Sequence, residues 1–250
     1  AYIPSQSITN TTNSDQDLVY IITSIADGCA GTPFEYTITV QPIPVIADKD
    51  ETICNGETFN IQPTDNSPTE IVPVGTTYSW SAPVSDPVGA ITGGSGATSQ
   101  NSISQTLTNT TDSPATLTYN VQPEFNECKG DSFEVVITVN PVFGVDAVVD
   151  QVLCNGESTD AIEFTTTNTD GSTVFTWTND NTNTGLAASG TGDIASFAVT
   201  AGTVSETSTV VVTPTYTNNG INCDGPSETF TITVNPTAQV DAVVDQVLCN

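Results

Sequence analysis

Arginine, histidine and methionine are absent from this 250-residue chain, and lysine occurs only as Lys49 and Lys129. Each absence removes a chemistry. Without histidine there is no imidazole base and no histidine-centred triad, and without arginine there is no bidentate clamp for a carboxylate or phosphate. Two lysines against 29 acidic residues give a formal charge of -27, so the surface repels nucleic-acid backbones and anionic lipid. Long apolar runs are missing as well, since no stretch approaches the roughly 20 residues needed to cross a bilayer. The opening residues AYIPSQS lack the charged-then-apolar pattern of a signal peptide. The acidity reads as a solvated, self-repelling surface that keeps a secreted protein soluble and extended.

Repetition is what the chain has instead. The phrase TVQP or TVNP ends at Pro42, Pro141 and Pro236, spacings of 99 and 95. Cys54, Cys154 and Cys249 stand 100 and 95 apart, Cys29, Cys128 and Cys223 stand 99 and 95 apart, and Trp80 and Trp177 are separated by 97. The eleven residues VDAVVDQVLCN occur at 145–155 and again at 240–250. A period this long is one immunoglobulin-sized domain. The expected division is 1–42 as the C-terminal part of a repeat, 43–141 and 142–236 as complete repeats, and 237–250 as the first strand of another. On this reading the chain is a segment of a longer array.

Within each repeat the apolar period is two. Phe34, Tyr36, Ile38 and Val40 share one face of FEYTITVQ, and Phe133, Val135, Ile137 and Val139 share one face of FEVVITVN. Turn signals such as CNGE at 54–57 and 154–157, GGSG at 93–96 and NNG at 218–220 separate such runs. Thr-rich, β-branched strands with no helical stripe predict an all-β fold of tandem immunoglobulin-like, seven-stranded sandwiches in a linear filament. Trp80 and Trp177 are expected in the cores.

The cysteines fall at two positions in each repeat, the first hairpin turn and the tip of the last hairpin. Six of them at repeat spacing suggest an oxidising, extracellular setting, and zinc is disfavoured because there is neither histidine nor Cys-x-x-Cys. In a sandwich these positions lie at opposite poles, about 30 Å apart at about 3.3 Å per residue, whereas a disulfide needs Cα atoms within about 7 Å. The expected bridge therefore joins Cys54 to Cys223 across a repeat junction. Cys29, Cys128, Cys154 and Cys249 then pair outside this segment or stay unpaired. Intradomain pairing, Cys54 with Cys128 and Cys154 with Cys223, is the alternative.

No catalytic or cofactor-binding residues are expected, because the carboxylates recur as surface punctuation and do not converge. Asp50, Asp150 and Asp245 recur four residues before a cysteine, and with Asp48 or Asp146 they are candidate oxygen ligands for a junction calcium, although no D-x-D-x-D-G loop is present. Asn10 and Asn109 open NTT sequons, and DSF at 131–133 resembles a short bacterial O-glycosylation pattern. An isopeptide cross-link is disfavoured by the absence of lysine from 142–236.

The units DQVLCNGES…FTW…NCDGPSETFTITVNP and DETICNGETF…YSW…LTNTT…ECKGDSFEVVITVNP resemble the PKD-like, immunoglobulin-like repeats of giant Bacteroidota surface adhesins. The nearest of these is the gliding-motility adhesin of SprB type, a cargo of the type IX secretion system. The resemblance covers the whole chain. It implies a long filament attached at the outer membrane, driven by envelope gliding and secretion machinery and gripping a surface polysaccharide or abiotic substratum, with neighbouring repeats of the same chain as further partners. It transfers no binding residue. Spacer or binding repeats of a secreted polysaccharide-degrading enzyme, or a static extracellular fibre, are the alternatives.

Overall fold

The computed structural model describes residues 5–167 and 171–248. The chain divides into two compact units, Ala1–Pro141 and Val142–Asn250. Both are built from strands, with no α-helix among the described residues and a single 3-10 turn at Thr182–Thr184.

The longest strand of the first unit, Ala115–Phe125, shows why the sequence chooses sheet. Ala115, Leu117, Tyr119 and Val121 are buried, while Thr116, Thr118, Asn120 and Gln122 lie on the other face and are at least partly exposed. Period-two burial of this kind can be met only by a pleated strand with a core on one side. Its antiparallel neighbours are Phe133–Val139, with Leu117 opposite Ile137 and Tyr119 opposite Val135, and Thr77–Trp80, with Val121 opposite Trp80. The strand Lys49–Ile53 completes one edge by pairing in parallel with Phe133–Val139. Facing this sheet are two short ribbons, Thr58–Ile61 with Ile103–Thr106 and Ile91–Thr92 with Thr108–Asn109. Phe59, Ile103 and Leu107 from this layer meet Tyr119, Val135 and Ile137 from the other in one core. Each such side chain contributes about 1.5–3 kcal/mol through burial.

The second unit repeats the plan. Glu206–Asn218 is central, flanked by Glu228–Asn235 and Ser172–Asn179, and Gln151–Cys154 pairs in parallel with Glu228–Asn235. Its opposing layer is reduced to two isolated bridges, Ser158 with Ala198 and Ile162 with Ile194. The fold is thus a tandem immunoglobulin-like sandwich. The strands are distributed less evenly than seven per domain, because one layer carries most of the regular pairing and the other is held by side-chain packing.

The first 42 residues contribute a hairpin, Gln16–Ile22 with Phe34–Val40, whose register (Leu18 opposite Ile38, Tyr20 opposite Tyr36) copies that of the hairpin in residues 115–139. Phe34 and Tyr36 are 63% and 48% exposed, so the apolar face of this hairpin lacks an opposing layer. Of residues 237–250, expected as the first strand of another repeat, 237–248 carry no strand. The identical segment at 145–155 becomes a strand because Ile232–Asn235 lies beside it, and 240–248 has no such neighbour.

Candidate functional site

Sequence reasoning points to the cysteine-bearing ends of each sandwich, and local chemistry fixes them. Cys54 follows the Lys49–Ile53 strand and opens the CNGE turn. Gly56 and Gly156 adopt φ of +79° and +89°, a left-handed conformation that side chains disfavour. The Gly56 N–H donates to the Leu107 carbonyl at 2.8 Å and the Leu107 N–H returns to the Glu57 carbonyl at 3.1 Å. Gly156, Val199 and Glu157 do the same in the second unit. The Glu57 carboxylate accepts the Cys54 N–H at 2.8 Å, and Glu157 accepts that of Cys154 at 2.7 Å. The recurring glutamate is therefore a turn lock. It places Cys54 where the last strand leaves the domain, since the Asn140 N–H donates to the Ile53 carbonyl at 2.9 Å.

The other cysteines sit at the far end of the last strand. Cys128 pairs with Phe125 and Cys223 with Tyr216 in the final hairpins. Two residues on, Gly130 and Gly225 lie against the carbonyls of Pro44 and Phe143, so closely that a Cβ at either position would collide with backbone. This contact seats the incoming chain against the last hairpin in both units. The Cys128 thiol also reaches Gln41 Oε1 at 3.4 Å. Cys54 and Cys223 are each half of a disulfide, whereas Cys29, Cys128 and Cys154 carry free thiols; Cys249 lies outside the described residues.

The aspartates proposed for calcium have other work. Asp48 Oδ1 accepts the Glu134 N–H at 2.8 Å, Asp150 Oδ1 accepts the Thr231 N–H at 2.6 Å, and Asp146 accepts the Thr165 hydroxyl at 2.6 Å. Asp48 and Asp150 satisfy strand backbone donors and Asp146 a loop hydroxyl, each within its own unit, while Asp50 and Asp245 are exposed. Among the described residues no group of three or more His, Cys, Asp or Glu side chains is arranged to hold a metal. The Lys49 ammonium, 2.6 Å from Glu70, holds that carboxyl below its ordinary range. Burial pushes the Tyr78 phenol up to about 12.

The asparagines of both NTT motifs are held by their side-chain amides. Asn109 is 3% exposed, and its Nδ2 donates to the carbonyls of Ser113 and Val139, both at 2.8 Å. Its Oδ1 receives the Thr111 N–H at 2.9 Å and the Thr111 hydroxyl at 2.7 Å. Asn10 repeats the pattern with Ser14, Val40 and Thr12. A glycan would need the Nδ2 that here ties the loop before the central strand to the end of the last strand. Asn109→Asp replaces that donor with an acceptor facing two carbonyls. The expected loss is about 2–4 kcal/mol, read as a lowered urea midpoint. Ser132 of the DSF motif is exposed. Trp80 and Trp177 are core residues, as expected, at 6% and 7% exposure, with Nε1 donating to Ser95 at 2.8 Å and Gly192 at 3.1 Å.

The sequence profile of the PKD-like domain matches residues 3–44 and 51–142, more than half of the chain. The chain belongs to the PKD-like domain family. Among curated protein sequences none matches it. Solved structures similar to these PKD-like units include the FN1–FN3 domains of chicken CNTN1, at 10% identity and TM-score 0.35, covering 88% of this chain and 76% of that one. PcdhgB3 EC1–4 is similar at 12% identity and TM-score 0.34, with the chain spanning 58% of its length. Mouse Cadherin-23 EC22–24 is similar at 11% identity and TM-score 0.32, covering 88% of this chain and 74% of that one. No helix among the described residues is long and apolar enough to cross a membrane. A disulfide in PKD-like repeats of this kind fits an oxidising, extracellular setting.

Proposed function

We propose that this segment is part of the stalk of a long cell-surface adhesin filament, attached at the outer membrane after type IX secretion, used for surface attachment and gliding, and itself non-catalytic. One observation carries the reading. Lys49–Ile53 pairs in parallel with Phe133–Val139, and Gln151–Cys154 with Glu228–Asn235, so each sandwich opens and closes on one parallel pair. The chain therefore arrives beside the start of the last strand and leaves at its end, about 25 Å away for eight residues. A domain with its two termini at opposite ends adds length when repeated. Tension on those termini also loads the rungs of the parallel pair together, in shear, and not one after another.

The disulfide strengthens the stalk in this reading, in which Cys54 is bonded to Cys223. Chain connectivity supports the pairing. Asn140 is hydrogen-bonded beside Cys54, and Phe143 is packed against Gly225, two residues beyond Cys223. Phe143 follows Asn140 by three chain steps, a reach of at most about 10 Å. In a longer array Cys29, Cys128, Cys154 and Cys249 pair in the same way with cysteines of flanking repeats. The partners are envelope gliding and secretion machinery at the base, and a surface polysaccharide or abiotic substratum at the tip. Near-identical copies such as 145–155 and 240–250 favour a filament over the spacer of a polysaccharide-degrading enzyme, which rarely needs homogenised repeats.

The test is an antibody to residues 142–236 followed on living cells. Label that travels along the cell body, with spreading blocked by the antibody, supports the motile adhesin. Fixed label favours a static fibre, and label shed into the medium beside a catalytic domain favours the enzyme spacer.

A further inference from the structure

We propose that this stalk is built to survive backbone cleavage, first by withholding sites from proteases that cut after lysine or arginine, and then by staying joined when a cut is made; the second part rests on the Cys54–Cys223 pairing proposed above. With two lysines and no arginine, 250 residues present two such sites. Lys49 is a poor one. It lies within the Lys49–Ile53 strand, paired along Phe133–Val139, and its side chain is 27% exposed and bound to Glu70. A protease must draw several residues into an extended, unpaired form, which here would break the strand pair. Lys129 differs in its side chain, which is 64% exposed, although it sits in the two-residue strand Cys128–Lys129 paired with Glu124 and Phe125 beside the tip of the last hairpin. Exposed tips are where nicking concentrates.

Hydrolysis of the Lys129–Gly130 bond adds one water, leaving a carboxylate on Lys129 and an ammonium on Gly130. No sulfur is oxidised or reduced. The cut falls inside the loop closed by Cys54 and Cys223, which encloses 169 peptide bonds (223 − 54). Non-covalent structure survives on both sides of it. The seven pairs from Ala115 opposite Val139 to Val121 opposite Phe133 lie below the tip, with Tyr119 and Val135 fully buried between the layers. A nick here frees Gly130, whose N–H bonds to the Pro123 carbonyl, but leaves those core pairs in place.

The experiment treats the oxidised 250-residue chain with trypsin under native conditions, compares gels with and without dithiothreitol, and melts the nicked product. Cleavage should be confined to Lys129. The nicked chain should run as one 26.0 kDa species without reductant. Dithiothreitol, itself oxidised to a cyclic disulfide, should release pieces of residues 1–129 and 130–250, and the nicked oxidised chain should keep a cooperative melt. A second variant, Thr203→Lys, places a new site in an exposed loop inside the same disulfide and should behave alike, so resistance at Lys129 leaves the second part tested. Rapid digestion at Lys49, or loss of the melt on nicking with the Cys54–Cys223 peptide present, would overturn the inference alone. Pieces that part without reductant would instead remove the pairing on which it rests.

Discussion

Held by its two ends with the disulfide intact, the chain should lengthen by no more than the residues outside the Cys54–Cys223 loop allow. Residues 1–53 and 224–250 lie outside it, 80 in all, a contour of about 280 Å at about 3.5 Å per residue. Reduction should raise the releasable contour roughly threefold, to about 880 Å for all 250 residues. Single-molecule pulling in an optical trap, with and without dithiothreitol, reads the difference directly. Cys54→Ser should reproduce the reduced trace under oxidising conditions. Oxidised and reduced traces of equal final length would mean that the disulfide does not span the load path. The size of the effect follows from chain length, since a covalent loop hides every residue it encloses, whatever the stability of the sandwiches within it.

Trp80→Ala should have the largest effect of any single core substitution in the first unit. The indole is buried, stands edge-to-face with Tyr119 at 6.2 Å and 84°, and donates to the Ser95 carbonyl. Truncation opens a cavity, leaves the Ser95 carbonyl without that donor and removes an aromatic pair. Losses of about 3–5 kcal/mol are usual for such changes, a large share of the roughly 5–15 kcal/mol that holds a small domain together. Urea denaturation of the oxidised chain should show a midpoint shifted strongly downward, with Trp80→Phe recovering part of it. A shift below about 1 kcal/mol would show that the indole is not the keystone its burial suggests.

The fold was legible because two separate signals agreed. Period-two alternation named the strand face correctly at Phe133, Val135, Ile137 and Val139, since one buried face forces that period on any strand. The repeat ruler matched Trp80 to Trp177, and both proved to be core residues with the same hydrogen-bonding habit. The thin opposing layer was not legible, because Ile162 and Ile194 pack into the second core from segments that are nearly free of ladder pairing, and packing without pairing leaves no alternation.

The sites were read less well, for a related reason. Asn109 looks like a sequon because Asn-Thr-Thr serves both a glycan acceptor and an asparagine-centred turn, and only burial separates the two. Asp48 and Asp150 looked like calcium ligands at a junction because aspartate at a strand edge is indistinguishable in sequence from aspartate in a cation loop; here each caps a backbone N–H. A usable signal was present in the recurring Cys-Asn-Gly-Glu, whose glutamate three residues after the cysteine is spaced to lock the turn and aim the sulfur.

The covalent tie between Cys54 and Cys223 is the centre of this account, and peptide mapping of the non-reduced chain tests it most directly. The oxidised 250-residue chain is alkylated, digested without reductant with an aspartate- and glutamate-directed protease, and read by mass spectrometry. The account predicts one cross-linked species joining the peptides that carry Cys54 and Cys223, with Cys128 and Cys154 alkylated as thiols. Cross-linked peptides joining Cys54 to Cys128, or Cys154 to Cys223, would contradict it.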